Sequence, residues 1–339
     1  MKAGIKQISD ITGYSPATVS NALNYKKGVN QKTSEEIFRV AREIGYIDNN
    51  MISKIKLVIY KKNGMIIDDT PFFSFLISGI EQECREFGYE LVIGNLDSRL
   101  PDYQEKARQM INEPGAAIIL LGTELSPEEL KLYKNSQCPL LLLDYWSFDM
   151  DINGVMINNA DSVRKAVNYL FANGHTAIGY LKGKFRILGF EQRQSGYHSA
   201  LRENGLQYKP EYAVELSTTM NDAYKDMLSY LETKPSLPTA FFADNDMIAL
   251  GAMKALQEKN YRIPDDISII GFDDLPFCEI SSPRLTSLRV PKQEMGRLAV
   301  RKIIDMVKRE DTILTKIQVC TEFIERDSVK KLNVSIEND

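Results

Sequence analysis

The chain has 339 residues, of which 43% are hydrophobic and 26% are charged. This length fits two or three compact units rather than one, and the composition is that of an ordinary globular protein. No apolar run reaches the roughly 18 residues of a membrane span, so we expect no membrane partner. The N-terminus, MKAGIKQISDITG, lacks the apolar stretch and cleavage site of a signal peptide, and we expect a cytoplasmic protein.

The cysteines are scattered along the chain, with no CxxC pair. This distribution is typical of buried, reduced thiols in a cytosolic protein. We therefore expect no disulfide framework, no zinc or other bound metal, and no cofactor. The four cysteines are Cys84, Cys138, Cys278 and Cys320.

The formal net charge of −4 argues against nucleic-acid binding, but the charge is unevenly distributed. Residues 1–34 contain five lysines and one aspartate, which is a net charge of +4, so the rest of the chain carries −8. A basic end on an acidic body is expected where only that end meets phosphate. A solvated lysine-rich face would give the same pattern, and charge alone leaves both interpretations open.

The first fifty residues predict three short helices. An apolar stripe of isoleucines marks the first helix, and Gly13 ends it. Ser15 can cap the second helix, and Pro16 suits its first position. In the third helix, Thr33 at the cap and Glu36 form a capping box. The residues of the three apolar faces are Ile5, Ile8, Ile11, Val19, Ala22, Leu23, Ile37, Val40, Ala41 and Ile44.

From Leu57 onward, short apolar runs alternate with amphipathic helical stretches. Near-continuous apolar strands between helices indicate parallel sheets covered on both faces, and the number of repeats predicts two doubly wound lobes. The predicted strands are Leu57–Tyr60, Leu91–Ile93, Ala116–Leu121, Leu140–Leu143, Ala177–Leu181, Thr239–Ala243 and Ile267–Phe272. Helices are predicted at Phe75–Phe87, Ser162–Asn173 and Met247–Lys259.

Two short helices joined by a tight turn are typical of a helix-turn-helix, in which the start of the second helix meets base edges in the major groove. Asn21 can make paired hydrogen bonds to adenine, while Pro16 and Ala17 can offer apolar contact to a thymine methyl. Short polar side chains nearby suit phosphate oxygens. A small helical cap on the core is the structural alternative. The polar residues in question are Ser15, Thr18, Ser20 and Asn24.

The segment TGYSPATVSNALNYKKGVNQKTSEEIFRVAREIGYIDN resembles the head of the lactose/galactose repressor (LacI/GalR) family. The resemblance continues in the family's order through LFANGHTAIGYLKG, RQSGYHSAL, PTAFFADNDMIALGAMKAL, IPDDISIIGFDDL and LTSLRVPKQEMGRLA. Each motif is short, but together they cover nearly the whole chain. The resemblance also implies that Lys32 and Thr33, in the V-x-x-K-T match, contact DNA.

The resemblance implies an all-α helix-turn-helix head and an α/β core of two doubly wound parallel-sheet lobes, of the periplasmic-binding-protein type. The head would be 1–48 and a short hinge 49–56. The first lobe would be 57–158 plus 290–325 and the second 159–289, with the ligand in the cleft between the lobes and three chain crossings.

Candidate ligand-binding residues come from strand ends and from the resemblance. Asp273 closes a predicted strand at its carboxyl end, where ligands bind in open α/β sheets. Arg193, in R-x-x-G-Y, matches a family arginine that clamps ligand oxygens. Aromatic side chains on cleft loops could stack on the ligand or simply pack in the core. The other candidates are Phe72, Phe73, Asp144, Trp146, Asn245 and Asp246.

The hinge is where the chain departs from the family. The family pattern N-x-x-A-x-x-L falls here on Asn49, Ile52 and Ile55, and in the family the leucine wedges into the minor groove and kinks DNA. Ile55 could be that wedge, or it could begin the first strand beside Leu57. The polar tail after Arg326 has no leucine heptad, so no coiled-coil tetramer is expected.

The function that we predict is a sequence-specific transcriptional repressor controlled by a small effector, with carbohydrate as the favoured class. Its partners would be double-stranded operator DNA and a second copy in a homodimer. A sugar-transport receptor with the same core is the first alternative, and the missing export signal opposes it. A carbohydrate enzyme is the second, and no GxSxG, P-loop or metal-ligand cluster supports it.

Overall fold

The computed structural model describes residues 4–23, 29–44, 46, 52–308 and 313–332. Its N-terminal head consists of α1 (Ile5–Thr12), α2 (Pro16–Leu23) and α3 (Gln31–Glu43), as the apolar spacing predicts. The three helices share a small core of their own. The buried side chains of this core are Ile8, Val19, Ala22, Ile37, Val40 and Ala41.

Two details of the head differ from prediction. Ile11 is 54% exposed, so the isoleucine stripe of α1 is buried only in part. The third helix begins earlier than the capping box predicts, because the side-chain Oδ1 of Asn30 accepts the Thr33 N–H at 2.8 Å. Asn30 therefore caps α3, and Thr33 lies inside its first turn.

The first lobe is built around a parallel sheet whose central strands are apolar, as expected where both faces of a sheet are covered. In β3 (Ala116–Leu121) and β4 (Leu140–Leu143) every residue is buried. The elements in chain order are β1 (Lys54–Lys61), α4 (Phe72–Glu86), β2 (Glu90–Asp97), α5 (Tyr103–Ile111), β3 (Ala116–Leu121), α6 (Pro127–Leu130), β4 (Leu140–Leu143) and β5 (Gly154–Ile157).

The second lobe repeats this plan around a second sheet. Its elements are α7 (Asn159–Ala172), β6 (Ile178–Gly183), α8 (Leu188–Glu203), β7 (Ala213–Leu216), α9 (Met220–Glu232), β8 (Ala240–Ala243), α10 (Asp246–Glu258), β9 (Ser268–Asp273), α11 (Phe277–Ile280) and β10 (Thr286–Arg289). The chain then returns to the first lobe with α12 (Lys292–Lys308) and β11 (Lys316–Val319), and ends with β12 (Glu322–Ile324) in the second.

The two sheets have matching strand orders, β11-β5-β4-β3-β1-β2 and β12-β10-β9-β8-β6-β7. Strand β4 thus corresponds to β9, and β3 to β8. The doubly wound, two-lobed fold class is confirmed, with three crossings between the lobes. One boundary of the predicted first lobe is wrong, because 290–325 includes β12, which pairs antiparallel with β10 of the second sheet.

Close packing of α4 on α12 completes the first lobe. A Cβ at Gly79 would overlap the backbone of Gln293, and one at Gly296 would overlap the carbonyl of Leu76. The two glycines therefore let the helices approach more closely than any other residue pair would allow. This contact holds the N-terminal end of α12 next to the crossing that leads from the second lobe.

The hinge departs from the family pattern, and the structure agrees with the interpretation in which Ile55 belongs to the first strand. Strand β1 begins at Lys54 rather than at Leu57, and Ile55 is fully buried between Leu91 of β2 and Ala117 of β3. A side chain held inside the sheet cannot enter a DNA groove, so the placement of Ile55 among the DNA-contacting residues is wrong. Asn49 lies outside the described residues.

The cysteines follow the prediction with one exception. Cys84, Cys138 and Cys278 are buried, but Cys320 is exposed in the loop between β11 and β12. The expectation that all four thiols are buried is therefore wrong for Cys320, because the last crossing between the lobes runs over the surface.

Candidate functional site

The polar side chains of the cleft follow corresponding strands of the two sheets. Asp144 comes directly after β4, and Asp273 ends the equivalent strand β9. Thr123 follows β3, and Asn245 follows its counterpart β8. Because the carboxyl ends of parallel strands lie at one edge of a sheet, all four side chains line a single narrow cavity between the lobes.

Arg193 enters this cavity from α8 and is almost completely buried. Its Nε donates to Oδ1 of Asn159 at 2.8 Å, and its Nη1 donates to the backbone carbonyl of Asp244. The guanidinium carbon lies 3.6 Å from the centre of the Phe272 ring. These contacts hold the guanidinium in one orientation, with Nη2 3.7 Å from Oδ1 of Asp273.

The turn after β9 has an unusual backbone that is held by cations. Asp273 and Asp274 have φ angles of 109° and 51°, in the left-handed region that most residues avoid. Lys292, buried at the start of α12, donates its Nζ to the carbonyl oxygens of both residues. The Asp274 carboxylate accepts from Arg289 and Arg326, each at 2.7 Å. The neighbouring cations thus keep the Asp273 carboxylate aimed into the cavity.

Asp144 also has a left-handed backbone, with φ at 56°. Burial raises the pKa of its carboxyl to about 6, while the hydrogen bond from Thr123 and the charge of Arg193 oppose that shift. Thr123 Oγ1 donates to the carboxylate at 2.7 Å. Burial raises the pKa of Asp273 as well, against the charges of Arg193 and Lys292. Two carboxyls with raised pKa values thus face one guanidinium.

The structure brings six of the eight predicted ligand-binding residues to this cavity. Phe72 and Phe73 contribute an edge-to-face ring pair with centroids 5.1 Å apart, and they also belong to the hydrophobic core. Stacking and core packing, the two interpretations of these aromatics, are therefore compatible. The six residues are Phe72, Phe73, Asp144, Arg193, Asn245 and Asp273.

The other two predicted residues do not line the cavity. The Asp246 carboxylate is fully buried and accepts from Ser287 Oγ at 2.7 Å and from the Leu275 N–H at 2.8 Å, so it fixes the turn after β9. Burial, and then the charge of Asp273, raises the pKa of Asp246 to about 7. Trp146 is 8% exposed and does not line the cavity. Asp246 follows the cavity-lining Asn245 directly and Trp146 comes two residues after Asp144, and at both positions the chain has already turned away from the cavity.

Several residues of the site were not predicted. Thr123 could have been found, since it follows a strand end as Asp144 does. Phe190 lies one helical turn before Arg193 on α8 and therefore shares its face. Glu124 had no sequence signal: its buried carboxylate accepts backbone N–H groups of the β1–α4 loop at 2.9–3.3 Å. That loop carries Ile66 and Thr70, which also line the cavity. Ile157, the last residue of β5, and Ile187, just before α8, line it as well.

In the head, α2 presents its polar and small residues outward. Pro16 and Ala17 are exposed, whereas Val19 and Ala22 are buried against α1 and α3. Ser15 Oγ accepts the Thr18 N–H at 3.1 Å, so it caps the helix as predicted. Asn21 and Ser20 are half-buried on the outward side, and Lys32 and Thr33 lie in the first turn of α3. Asn24 lies outside the described residues.

The described part of the chain holds no group of three or more His, Cys, Asp or Glu side chains arranged for a metal ion. None of its helices has the length and apolarity required to cross a membrane. The buried ring of His175 bonds through Nδ1 to Thr239 Oγ1 and through Nε2 to the carbonyl of Lys330, both at 2.9 Å. This histidine therefore ties the residue before β8 to the segment after β12, and it does not line the cavity.

A helix-turn-helix head on a two-lobed core with a cleft of this kind defines a class: DNA-binding regulators with a small-molecule domain. Residues 4–49 match the model of bacterial regulatory proteins of the lacI family, and residues 167–329 match a periplasmic binding protein-like domain. The chain is 30% identical to the probable HTH-type transcriptional repressor ExuR of Bacillus subtilis (strain 168), over 97% of this chain and 98% of the relative. The chain belongs to the LacI family of transcriptional regulators, whose members are not enzymes.

Other relatives agree with this assignment. The HTH-type transcriptional repressor PurR of Mannheimia succiniciproducens is 28% identical over 97% of this chain and 99% of its own. Two solved structures have the same fold at low identity. The transcriptional regulator CelR in complex with cellobiose has a TM-score of 0.73 at 22% identity and covers 96% of this chain and 99% of its own. The lac repressor dimer bound to operator and the anti-inducer ONPF has a TM-score of 0.72 at 21% identity and covers 97% of this chain and 100% of its own.

Proposed function

We propose that the chain is a sequence-specific repressor whose DNA binding responds to a small effector held between its lobes. The observation that carries this proposal is the convergence of Asp144, Asp273 and Arg193 in one cavity, in a chain whose head exposes the start of α2. A cavity that both lobes build can couple ligand binding to the relative position of the lobes. We take 1–48 as the head and the two lobes as the effector-binding core.

The head supports DNA recognition through one helix face. Pro16, Ala17 and Asn21 lie at the start and on the outward side of α2, the helix that enters the major groove in a helix-turn-helix. Asn21 would read adenine, and the other two would contact apolar base atoms. Lys32 and Thr33 lie at the N-terminus of α3, where N–H groups and a positive dipole end favour phosphate. Ser15, Thr18, Ser20 and Asn24 complete the phosphate-contacting set.

The cavity supports a neutral, hydroxyl-rich effector. Asp144, Asp273 and Asn245 can accept hydrogen bonds from hydroxyl groups, and Arg193 can donate. Two carboxylates against one guanidinium disfavour an anionic ligand. The paired rings of Phe72 and Phe73 offer apolar area to the faces of a sugar ring. A carbohydrate meets these requirements, and cellobiose is the ligand of the structurally similar CelR.

A homodimer would supply two heads for a pseudo-palindromic operator, since one helix-turn-helix contacts few base pairs. The second lobe leaves two large apolar side chains on α11 in solvent: Ile280 is 80% exposed and Phe277 is 37% exposed. These side chains favour a partner surface there. The structurally similar lac repressor is a dimer on its operator. A protein that binds operator DNA would act in the cytoplasm.

The proposal is tested by selecting binding sites for the full chain from a randomised duplex library and then screening neutral sugars, sugar acids and purine bases for their effect on binding to the selected site. We expect pseudo-palindromic sites and at least one neutral sugar that changes the affinity and raises the melting temperature. Failure to enrich any sequence would overturn the regulator assignment. Enrichment with a response to a purine base or a sugar acid alone would overturn the carbohydrate assignment.

Effector affinity is expected to fall below pH 6. The pKa of about 6 for Asp144 means that at pH 5 only about one molecule in ten carries the ionised acceptor before ligand binds. Protonation therefore competes with hydroxyl donors, and calorimetry should show affinity about tenfold weaker at pH 5 than at pH 7. The variant Asp144→Asn, whose side chain does not titrate, should lose much of this pH dependence. An equally steep pH dependence in that variant would contradict the assignment to Asp144.

A further inference from the structure

Hydrogen bonds join the two lobes directly at a place away from the chain crossings. The Asp69 carboxylate of the first lobe accepts the Met220 N–H of the second lobe at 3.3 Å. Thr218 Oγ1 of the second lobe donates to the Met65 carbonyl of the first at 3.2 Å. Both first-lobe residues belong to the segment between β1 and α4, which we call the latch loop (62–71).

The latch loop lies at the edge of the cleft opposite the crossings. The crossings leave or enter β5, β10, β11 and β12, which are the two strands at one end of each sheet. The latch loop follows β1, and Thr218 and Met220 follow β7, and these two strands belong to the other ends of their sheets. A rotation about the crossings that opens the cleft therefore breaks the hydrogen bonds at the latch loop.

A single buried carboxylate holds the latch loop in shape. Glu124 is 2% exposed, and its carboxylate accepts five backbone N–H groups of the loop at 2.9–3.3 Å. Hydrogen bonds to a charged acceptor are stronger than those between neutral groups, so the loop moves with the first lobe as one body. The five donors are the N–H groups of Lys62, Asn63, Gly64, Ile66 and Ile67.

Asp69 acts on the second lobe as a helix cap. Met220 is the first residue of α9, and the leading N–H groups of a helix have no partner within it. The Thr219 side chain accepts the Asp222 N–H from within the second lobe, whereas Asp69 accepts the Met220 N–H across the cleft. A carboxylate at this position also meets the positive end of the helix dipole. Separation of the lobes thus deprives α9 of a cap.

The latch loop and the wall of the effector cavity are one piece of chain. Ile66 and Thr70 of the loop line the cavity, together with Arg193, Asn245 and Asp273 of the second lobe. These three second-lobe residues are each 5–6% exposed. A ligand can therefore enter or leave the cavity only when the lobes separate and the latch loop releases α9.

We propose that the latch loop keeps the lobes closed when no effector is bound, with Asp69 as the residue that fastens it to α9. The closed arrangement is then the resting state of the core, and ligand exchange waits for the latch to open. The role in ligand exchange rests on the proposed function, whereas closure of the lobes does not depend on the effector. Asp69 is a positioning residue, since its carboxylate acts on the second lobe and does not line the cavity.

The test measures how fast a thiol inside the cavity is alkylated in the full-length chain without ligand. Thr123→Cys places this thiol at a cavity position that is 4% exposed, and Cys320→Ser removes the exposed native thiol. Iodoacetamide reaches the introduced thiol only when the lobes separate, so the rate reports the open population even where that population is small. Protection of the buried native thiols shows that the chain has not unfolded; they are Cys84, Cys138 and Cys278.

Asp69→Ala is expected to speed alkylation of the introduced thiol about 2- to 10-fold, which is the value of one hydrogen bond. Thr218→Val, which removes the other donor of the latch, should act in the same direction. The matched control is Asp68→Ala. Asp68 has the same charge in the same loop, but its carboxylate accepts from Lys61 of its own lobe, so this variant should react like the parent.

The outcomes separate the latch from the proposed function. If Asp69→Ala reacts no faster than Asp68→Ala, the latch is refuted while the effector-responsive repressor stands. The latch is also refuted if the introduced thiol of the parent reacts as fast as the exposed Cys320 of the natural chain, because the cleft is then open at rest. If Asp69→Ala speeds the reaction and no screened metabolite binds, the latch stands and the effector assignment is refuted. Since Asp69 is exposed, an unchanged melting temperature should accompany the faster reaction.

Discussion

Replacing Arg193 or Asp273 by alanine is expected to weaken effector binding by about 2–4 kcal/mol, which is roughly 30- to 1000-fold. Both side chains are more than nine-tenths buried at the cleft, so a ligand hydroxyl that loses its partner there has no water to replace it. In Arg193→Ala the Asp273 carboxylate would also lose its nearest guanidinium, which lies 3.7 Å away. We expect the larger loss for that variant.

Calorimetry with the effector identified for the wild type measures this effect, and binding to the selected DNA site without effector should stay near the wild-type value. Arg202→Ala is a matched control, because Arg202 lies on the same helix, α8, but in solvent. Wild-type effector affinity in both cleft variants would remove these residues from the site. A parallel loss of affinity in the control would mean that the helix, and not the guanidinium, is responsible.

Deleting residues 1–48 is expected to abolish sequence-specific DNA binding and to leave effector binding intact. The deletion removes the outward face of α2, with Asn21, and the N-terminus of α3, with Lys32. The buried side chains of the head form a cluster separate from the cores of the lobes, so its loss uncovers little of their apolar surface. A gel-shift assay on the selected site and a thermal shift with the effector measure the two halves of this prediction.

The intact chain supplies the comparison for the deletion. Because residues 1–34 carry a net charge of +4, its affinity for DNA should fall steeply as the salt concentration rises, since the counterions that phosphate contacts release then gain less entropy. Asn21→Ala should lower affinity for the selected site by about 1–3 kcal/mol with little change in salt dependence, since a base contact and not a phosphate contact is lost. A truncated core that still shifts the selected site would refute the head as the DNA-binding unit.

Local patterns were enough for the elements of the fold. Alternation of apolar runs and amphipathic stretches predicted the two doubly wound lobes, and β3 and β4 begin and end where predicted. Short strands with mixed composition escaped prediction. Strand β5 contains Gly154, and β11 and β12 alternate exposed with half-buried residues at the edges of the sheets, so neither has a fully buried run.

The candidate site could be predicted from the sequence only where its residues lie at the ends of strands. Asp144 and Asp273 could be named because polar residues after apolar strands converge in this fold. Asp246 and Trp146 do not line the cavity, because the direction of a side chain along a turn depends on backbone angles that the residue types do not reveal. Glu124 and Lys292 escaped notice because their partners are backbone groups far away in the chain.

The sequence by itself determined the class of this protein: the helix-turn-helix pattern, the apolar periodicity of two α/β lobes and the positions of polar strand ends are all local signals. Tertiary structure alone decided which side chains share the cavity, that Ile55 belongs to a sheet and not to a DNA groove, and that β12 crosses back to the second lobe. The physical reason is that these outcomes depend on burial and on hydrogen bonds between residues distant in the chain. Such contacts come into being only when the lobes pack.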